Sequence, residues 1–283
     1  MNTTQKIAII GAGPMALYTV KGLLNGEARL NITIFDAADQ VGCGMPYRAG
    51  MNADYMYCNA FSREIPSITR PLVSWLHDQD DAFLARWDLD RIDIDARDFY
   101  PRVLLGDYLT SEFSDLCDAG RHAGHDIRVL PAHEVVDVVP TGGGVTLDVA
   151  TPDGKSVYAF DKVVLATGHV WPSSPKLGTA DLVSPWPYTN ITDQPAGDIG
   201  VLGSSLSAID VVVALGQEHG AFTEENDKVS WFPETGQEAL AITMVSHKGI
   251  IPEPDFYYPF PYERLIHLNP EAVIAEVAKG PQA

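Results

Sequence analysis

Short apolar runs alternate with longer helical stretches along the chain, and this alternation predicts an α/β protein. Near the N-terminus, residues 6–10 and 32–35 are two such runs, and both are rich in β-branched side chains. Parallel strands that are buried on both faces have this composition. The apolar segment between them extends to about Leu24, after which Asn25 and Gly26 can end a helix. This stretch therefore predicts a strand, a helix and a second strand.

The same order of elements returns in the last third of the chain. Residues 198–203 and 240–245 are apolar runs that predict strands, and residues 207–217 predict the helix between them. Pro270 lies where a proline is tolerated at the start of a helix, so residues 270–279 predict a terminal helix. The chain thus contains a second strand–helix–strand unit.

The stretch between these units predicts helices first and strands afterwards. Residues 72–79 and 97–119 have helical patterns, and Pro101 places the true start of the longer helix near Arg102. Alternating apolar and polar positions then predict a small antiparallel β-meander, followed by a buried strand that ends in Thr-Gly. The meander is predicted at residues 126–139, 144–150 and 157–160, and the buried strand at residues 162–168.

The turn after the first strand carries the clearest chemical signal. Gly11-Ala12-Gly13-Pro14-Met15-Ala16 reads G-x-G-x-x-A, and it joins a strand to a helix. Gly11 permits the tight turn, and Gly13 has no Cβ, so that a diphosphate can approach the bare amides of the helix N-terminus. Asp36 follows the second strand and can accept hydrogen bonds from a ribose, which favours FAD or NAD over NADP. The alternative is a glycine-rich turn without a ligand.

The residues after Asp36 extend this candidate site. Gly42 and Gly44 imply a close approach of the backbone to another group, and the neighbouring Ala37 and Met45 share this segment. Because the segment directly follows the predicted ribose acid, we expect contact with the cofactor rather than an ordinary turn.

The second unit has a related turn, Gly203-Ser204-Ser205-Leu206-Ser207-Ala208. Ser205 stands where the second glycine normally lies, and its hydroxyl could donate to a phosphate. No acid follows the second strand, whereas Lys248 does, which favours NADP(H). We therefore expect a second nucleotide at Gly203, Ser204, Ser205 and Ser207.

Three further positions are candidates, each with a structural alternative. Arg102 could reach a phosphate or a flavin edge, or form a surface salt bridge. His169 follows the Thr167-Gly168 strand end and could handle protons or contact a flavin, although a histidine there is more often structural. The proline-rich residues 249–262 would line a substrate or nicotinamide channel, or serve as a packing loop.

Composition excludes several classes of protein. The 283 residues suffice for two modest domains, and the formal charge of −19 opposes binding to nucleic acid or to an anionic membrane. No apolar run approaches the roughly 20 residues of a membrane span, and we recognise no signal peptide. The three cysteines, Cys43, Cys58 and Cys117, lack metal-site spacing, so we expect no metal and reduced thiols in the cytoplasm. A redox disulfide between Cys43 and Cys58 is the alternative.

Several motifs together resemble one family. IAIIGAGPMALY, GMPY, PRVLLGDYL, VLATGHVWP, GSSLSAID and GIIPEPDFY are similar to segments of the bacterial FAD/NAD(P)-binding flavoproteins that include FAD-dependent urate hydroxylase and amino-acid N-monooxygenases. The resemblance implies FAD at Gly11, Gly13, Pro14, Met15 and Asp36, with Gly44, Arg102, Thr167 and Gly168 nearby. It implies NAD(P)H at Gly203, Ser204, Ser205 and Ser207.

We therefore expect an α/β fold with two Rossmann-like dinucleotide-binding domains, layered as a three-layer sandwich, and a small antiparallel β-meander. Residues 1–190 would form the FAD-binding domain and residues 191–283 the NAD(P)-binding domain. Members of the family usually continue beyond this length and return to the FAD domain. Three alternatives follow from the resemblance: this chain is a fragment, a second chain supplies the missing part, or the flavin site is incomplete.

The function implied by the resemblance is that of an FAD-dependent NAD(P)H oxidoreductase. We expect a monooxygenase that acts on a small metabolite, for example one that contains nitrogen. Two alternatives stay open: an NAD(P)H-dependent flavin reductase or electron-transfer subunit, and a non-catalytic nucleotide-binding component that needs a second chain.

Overall fold

The N-terminal part of the protein is built on a parallel sheet of four strands. The computed structural model describes residues 4–169, 176–178, 180–226, 228–253 and 269–280. The strands of the sheet are β1 (Gln5–Ile10), β2 (Leu30–Phe35), β3 (Asp126–Leu130) and β7 (Lys162–Leu165). Their order is β3-β2-β1-β7, which places the first predicted strand in the interior of the sheet.

Helices cover one face of this sheet. The helices of this part are α1 (Pro14–Leu24), α2 (Leu72–His77), α3 (Asp81–Arg86) and α4 (Arg102–His122). Helix α4 begins at Arg102, as Pro101 predicts, and it packs against α1. The largest core cluster lies here and buries Ile9, Leu17, Ile34 and Tyr108 among other side chains. Helix α3 is absent from the predictions, although it has the same length of six residues as α2.

The opposite face is covered by the meander. Its strands are β4 (Glu134–Thr141), β5 (Gly144–Thr151) and β6 (Gly154–Phe160), paired antiparallel in this order. Leu147, Val149 and Phe160 pack there against Ala8, Ile10 and Phe35 of the parallel sheet.

One part of the meander prediction was wrong. Residues 126–130 were assigned to the meander, but β3 pairs parallel with β2, with Ile127 opposite Ile32. This pairing buries Ile127 in the core cluster beside α4. A strand of five residues has too short a pattern to distinguish a parallel edge strand from an antiparallel one.

The second unit contains β10 (Asp198–Leu202), α6 (Leu206–His219) and β13 (Ala241–Val245). The two strands pair parallel, as the sequence predicts. A hairpin of β11 (Gly220–Glu225) and β12 (Lys228–Pro233) is inserted between α6 and β13 and was not predicted. The remaining elements are β8 (Lys176–Leu177), β9 (Ala180–Asp181), α5 (Thr189–Thr192) and α7 (Pro270–Val277).

The two units share a small core. Ala53 and Met56, from the loop that follows β2, are buried with Ile191, Ala214 and Leu215 around α5 and α6. The α/β fold with Rossmann-like units and a small antiparallel sheet is therefore confirmed. The division at residue 190 stays a prediction, because α5 spans this position and packs on α6.

Candidate functional site

The two glycine turns have the same local geometry. The amide of Gly11 donates to the carbonyl oxygen of Phe35 at 2.7 Å. The amide of Gly203 likewise donates to the carbonyl oxygen of Val245 at 2.8 Å. Each glycine therefore ties the end of the first strand of its unit to the end of the second. Their φ angles are +100° and +124°, which L side chains rarely adopt. The sequence similarity between the turns is thus matched by their backbone conformation.

The helices that follow these turns begin without a side-chain cap among the described residues. Gly13 and Ser205 are the N-cap residues of α1 and α6, with φ/ψ of −85°/−168° and −92°/−171°. In both helices the first amides are consequently available to an external acceptor. Together with the helix dipole, such amides favour a bound phosphate.

The first turn opens into a cavity of about 600 Å³. The predicted site residues that line it are Gly11, Gly13, Pro14, Met15, Asp36, Ala37, Gly44, Met45, Thr167, Gly168 and His169. They come from the ends of β1, β2 and β7 and from the 3₁₀ turn Met45–Tyr47. The strand order brings these ends to one edge of the sheet, where α/β proteins bind their ligands.

The backbone of this cavity fits a diphosphate. A Cβ at Gly13 would lie 3.3 Å from the Cα of Gly44, and a Cβ at Gly44 would lie 3.0 Å from the Cδ of Pro14. The two glycines thus form a cradle that side chains would fill. The carboxylate of Asp36 accepts hydrogen bonds from the amides of Ala12 at 2.7 Å and Ala38 at 2.8 Å. Carboxylate oxygens accept further hydrogen bonds, so a ribose can still be bound.

Gly42 lies outside this cavity, against α4. Its Cβ would be 2.7 Å from the Cα of Thr110, and its amide donates to the carbonyl oxygen of Ala12 at 2.7 Å. The close approach at Gly42 is therefore to a helix of the protein, and it holds the loop after β2 in place.

A second cavity of about 460 Å³ lies beside the start of α6. Ser205, Ser207, Arg102 and His169 line it, as do Tyr47, Cys58, Asn52 and Asn59. Met45, Pro46, Tyr47 and His169 belong to the walls of both cavities. We call these four residues the shared wall. The two glycine turns thus open into adjacent spaces.

Arg102 lies in the second cavity and pairs with Asp210. The guanidinium of Arg102 is 2.8 Å from the carboxylate of Asp210, and the two side chains are 16% and 18% exposed. This pair joins the first residue of α4 to α6, and thereby the two units. The salt bridge that was the structural alternative for Arg102 is present, but it is partly buried rather than at the surface. Contact of Arg102 with a cofactor stays a prediction.

Other predicted residues of the second site lie outside this cavity. Ser204 donates its hydroxyl to the carbonyl oxygen of Ile250 at 2.5 Å, and Lys248 is exposed beyond β13. Neither residue lines the second cavity, and Gly203 does not line it either. Within the proposed channel segment, residues 254–262 lie outside the described residues.

The sequence reasoning missed several residues that line the two cavities. Tyr47 and Arg48 follow Gly44, and Asp210 follows the second turn by two residues. A usable signal was present for Tyr47 and Asp210, because both stand inside the motifs GMPY and GSSLSAID.

The thiols and phenols of this region stay protonated at neutral pH. Burial raises the pKa of Cys58 to about 12, although the nearby Arg102 lowers it. Burial also raises the pKa of Tyr47. All three cysteines are free. These groups can therefore donate hydrogen bonds into the cavities, and they are poor bases.

The described residues lack a metal cluster and a membrane-spanning helix. They contain no group of three or more His, Cys, Asp or Glu side chains that could hold a metal ion. Within the same part of the chain, every helix is too short or too polar to cross a bilayer.

Comparison with known proteins agrees with this geometry. The FAD-NAD(P)-binding family matches residues 8–170. The uncharacterized protein YdhS of Escherichia coli (strain K12) is 38% identical over 277 residues, which are 98% of this chain and 52% of YdhS. The chain therefore spans about half the length of this curated relative.

Solved structures resemble the fold at lower identity. Ornithine N-hydroxylase KtzI of Kutzneria sp. 744, with reduced FAD, NADP⁺ and L-ornithine, has a TM-score of 0.60 and 19% identity over 96% of this chain and 59% of its own. Bacillithiol disulfide reductase Bdr of Staphylococcus aureus has a TM-score of 0.52 and 15% identity over 98% of this chain and 64% of its own. S-allyl-L-cysteine S-oxygenase of Allium sativum has a TM-score of 0.51 and 18% identity over 76% of this chain and 49% of its own.

The prediction of FAD and NAD(P)H as cofactors is thus confirmed at the level of the family. The match spans the first glycine turn, the ribose acid and the strand that ends at Thr167-Gly168, which are the parts that line the larger cavity. The chain belongs to the FAD-NAD(P)-binding family of proteins.

Proposed function

We propose that the protein is an FAD-dependent NAD(P)H oxidoreductase, and more specifically a monooxygenase that acts on a small metabolite. The observation that carries the proposal is the shared wall, because Met45, Pro46, Tyr47 and His169 line both cavities. Two nucleotides bound by the two turns would meet across these residues.

Each part of the site has a role in this proposal. The first turn and Asp36 hold FAD by its diphosphate and ribose, and Ser205 with Ser207 holds the NAD(P)H diphosphate at the start of α6. When bound, FAD supplies the redox chemistry, since it accepts a hydride and passes electrons to oxygen or another acceptor. The chain orients the two rings and keeps water away from them. His169, at the junction of the cavities, is the candidate for proton transfer.

The neighbouring structures favour redox chemistry on small molecules. They are an N-hydroxylase with FAD, NADP⁺ and an amino acid, an S-oxygenase and a disulfide reductase. Two of these three are oxygenating enzymes, which favours the monooxygenase over the reductase. The preference for NADPH over NADH belongs to the proposal and is motivated by Lys248, which follows β13 where an acid would mark NAD.

The decisive experiment is a visible spectrum of the purified chain after reconstitution with FAD, followed by NADPH or NADH without air. We expect a yellow protein that is bleached by NADPH in preference to NADH. In the variant Gly13→Val we expect a folded protein without FAD, because the new side chain would fill the cradle at Gly44. A colourless wild-type chain after reconstitution would contradict the enzyme proposal for this chain alone.

Oxygen consumption separates the monooxygenase from the reductase. A reductase would form peroxide with NADPH at a rate that no added metabolite changes. A monooxygenase would consume NADPH faster in the presence of its substrate and would transfer an oxygen atom to that substrate.

The third possibility is a component that needs a further segment or a second chain. It is favoured because the chain covers only about half of the length of YdhS. Binding of ADP or NADP⁺ without turnover would support it.

A further inference from the structure

Strand β10 of the second unit is paired on one edge, whereas its counterpart β1 in the first unit is paired on both edges. β1 lies between β2 and β7, and among the described residues β10 pairs with β13 alone. The two strands are counterparts because each ends at the glycine of its turn and pairs parallel with the next strand of its unit. The described part of the second unit thus contains the counterparts of β1 and β2 but not that of β7.

The hydrogen bonds between β10 and β13 show which residues face the other edge of β10. The amide of Gly203 donates to a carbonyl oxygen of β13, and the carbonyl oxygen of Gly197 accepts from an amide of β13. Successive residues of a strand direct their main-chain groups to alternate edges. Asp198, Gly200 and Leu202 therefore direct theirs away from β13.

In the first unit, β7 binds the corresponding main-chain groups of β1. β7 pairs parallel with β1 and places Leu165 opposite Ile10. The carbonyl oxygen of Ile10 accepts from the amide of Ala166, directly after β7, at 2.8 Å. Leu202 stands one position before its turn glycine, as Ile10 does. The edge of β10 at Leu202 thus presents the groups that a parallel strand binds in β1.

A cavity of about 480 Å³ runs along this edge, and we call it the β10 groove. Residues 199–202 all line it, whereas none of the residues of β13 does. Helix α6 contributes Ala208, Val211 and Leu215 to its walls, and residues 182–186 also line it. Because a strand rises about 3.3 Å per residue, the groove extends over roughly 10 Å of β10. It therefore has the position and the length of a short strand.

The β10 groove is apolar and open to solvent. Val183 and Leu202 line it and are 50% and 60% exposed. Val245, which lies opposite Leu202 in β13, is 56% exposed. Parallel strands are normally buried on both faces, and an exposed apolar edge is a template for pairing with another segment. Apolar side chains beside available main-chain groups favour an added strand over a small polar ligand.

The direction of pairing and the length of a relative indicate which segment is bound. Nearly half of YdhS has no counterpart in these 283 residues. A second copy of this chain is disfavoured, because two copies of β10 related by a two-fold axis would run antiparallel. The corresponding edge of β1, by contrast, is paired with a parallel strand.

We propose that the β10 groove binds a parallel β-strand from a polypeptide that corresponds to the part of YdhS outside the match. The strand is an aliphatic, β-branched run of about four residues, comparable to Lys162–Leu165 of β7. Its main chain bonds to Gly200 and Leu202, and its side chains pack against α6. The inference does not rest on the proposed function, since it requires neither coenzyme.

Co-expression tests the proposal. A tagged form of this chain would be co-expressed with the part of YdhS outside the match, and amide hydrogen exchange would be compared between the chain alone and the purified complex. We expect copurification, with exchange at Gly200 and Leu202 slowed by about 100-fold or more. The amides of β1, which is paired on both edges, should exchange equally in both samples.

Two results of this experiment would overturn the proposal. One is that the soluble YdhS part does not copurify, or copurifies while Gly200 and Leu202 exchange as in the chain alone. The other is that these amides are already protected in a dimer of the chain alone, which would make a second copy the occupant.

Charged substitutions in the groove locate the contact. Because Val183 and Leu202 are half exposed or more, we expect Val183→Glu and Leu202→Glu to fold normally. Docking would bury the new carboxylate without a partner, so each variant should bind the YdhS part at least about 10-fold more weakly. Val229→Glu is the matched control: this side chain is 62% exposed on the β11–β12 hairpin and does not line the groove. Equal binding by all three variants would contradict the proposed contact.

Intact YdhS keeps the test valid if its separate part does not fold. We expect slow exchange at every amide of the YdhS segment that aligns with residues 198–202. In this chain alone, the amides of Gly200 and Leu202 should exchange fast and those of Ile199 and Val201 slowly, because only the latter face β13. The same alternation in intact YdhS would overturn the proposal.

Discussion

Arg102 and Asp210 form an ion pair of 2.8 Å between the first turn of α4 and the second turn of α6. The pair neutralises a carboxylate in the same cavity wall as Ser205 and Ser207, where the coenzyme diphosphate is proposed to bind. Because both side chains are mostly buried, the solvent screens these charges less than at the surface. The electrostatic field at the second site therefore depends on a residue of the first unit.

Removal of Arg102 should weaken the binding of NADPH, since Asp210 would then repel the diphosphate. We expect Arg102→Met to raise the dissociation constant of NADPH by about 10-fold. The double variant Arg102→Met/Asp210→Asn should recover most of this loss, as measured by fluorescence titration. If the double variant stays as weak as the single one, Arg102 itself contacts the coenzyme.

The two turn glycines should differ in their tolerance of alanine. A Cβ at Gly11 would lie 2.2 Å from the carbonyl oxygen of Ala166, whereas a Cβ at Gly203 would meet nothing nearer than 4.0 Å. A positive φ costs about 1–2 kcal/mol at either position. We expect Gly203→Ala to lower the free energy of unfolding by about this amount and Gly11→Ala by roughly 3 kcal/mol or more. Urea unfolding measures both, and equal losses would contradict the expectation.

Gly106 positions the shared wall from the middle of α4. A Cβ at this residue would lie 2.1 Å from the carbonyl oxygen of Tyr47. Alanine normally stabilises a helix by about 1 kcal/mol relative to glycine, but here it would displace the Met45–Tyr47 turn. We expect Gly106→Ala to weaken the binding of FAD and NADPH together, each by roughly 3- to 10-fold.

The matched control for Gly106 is Gly22→Ala in α1, where a Cβ would meet nothing within 4 Å. This variant should bind both coenzymes normally and unfold at the same or a slightly higher temperature. If Gly106→Ala weakened the binding of only one coenzyme, the position of Tyr47 would not affect both binding sites.

Cys58 should be almost inert towards alkylation in the folded protein. Its pKa is raised from the ordinary 9.0 to about 12, so at pH 8 its thiolate fraction is about 1,000-fold smaller than that of an ordinary thiol. We expect a similarly reduced rate with iodoacetamide, followed by mass spectrometry, and a normal rate in the chain unfolded by guanidinium. Because the folded pKa is raised, the stability associated with this group is present below pH 9 and is lost as the pH rises towards 12.

Glu112 holds the loop before α2. Its carboxylate is fully buried and accepts from the amide and hydroxyl of Thr69, from the amide of Arg70 and from the Nε of Arg70. We expect Glu112→Leu to lower the free energy of unfolding by roughly 3 kcal/mol, because these donors lose their acceptor. Asp115→Asn is the control: its carboxylate is 52% exposed and 3.7 Å from Arg70, and the change should be below about 0.5 kcal/mol.

The sequence predicted those parts of the fold that local chemistry determines. The strand–turn–helix units at Gly11 and Gly203, the start of α4 at Pro101 and the meander at residues 134–160 each carry a signal within a few neighbouring positions. Composition and periodicity suffice there, because the glycine, proline or alternation acts on its own neighbourhood.

Other features depend on contacts that no local pattern contains. The pairing of β3 with β2 is set by the burial of Ile127, some 95 positions after its partner Ile32. Likewise, Gly42 looks like a cofactor glycine in the sequence, but its neighbour is Thr110 of α4. The role of Arg102 follows from Asp210, which the sequence places more than a hundred residues away.

The wall common to the two cavities has a thermodynamic consequence. If FAD fixes the orientation of Tyr47, it changes the surface that NAD(P)H meets, and by reciprocity NAD(P)H must change the affinity for FAD by the same factor. An affinity measured for either coenzyme alone would then differ from its value in the ternary complex. A substitution at Met45, Pro46 or Tyr47 would alter three constants at once: two intrinsic affinities and the cooperativity between them.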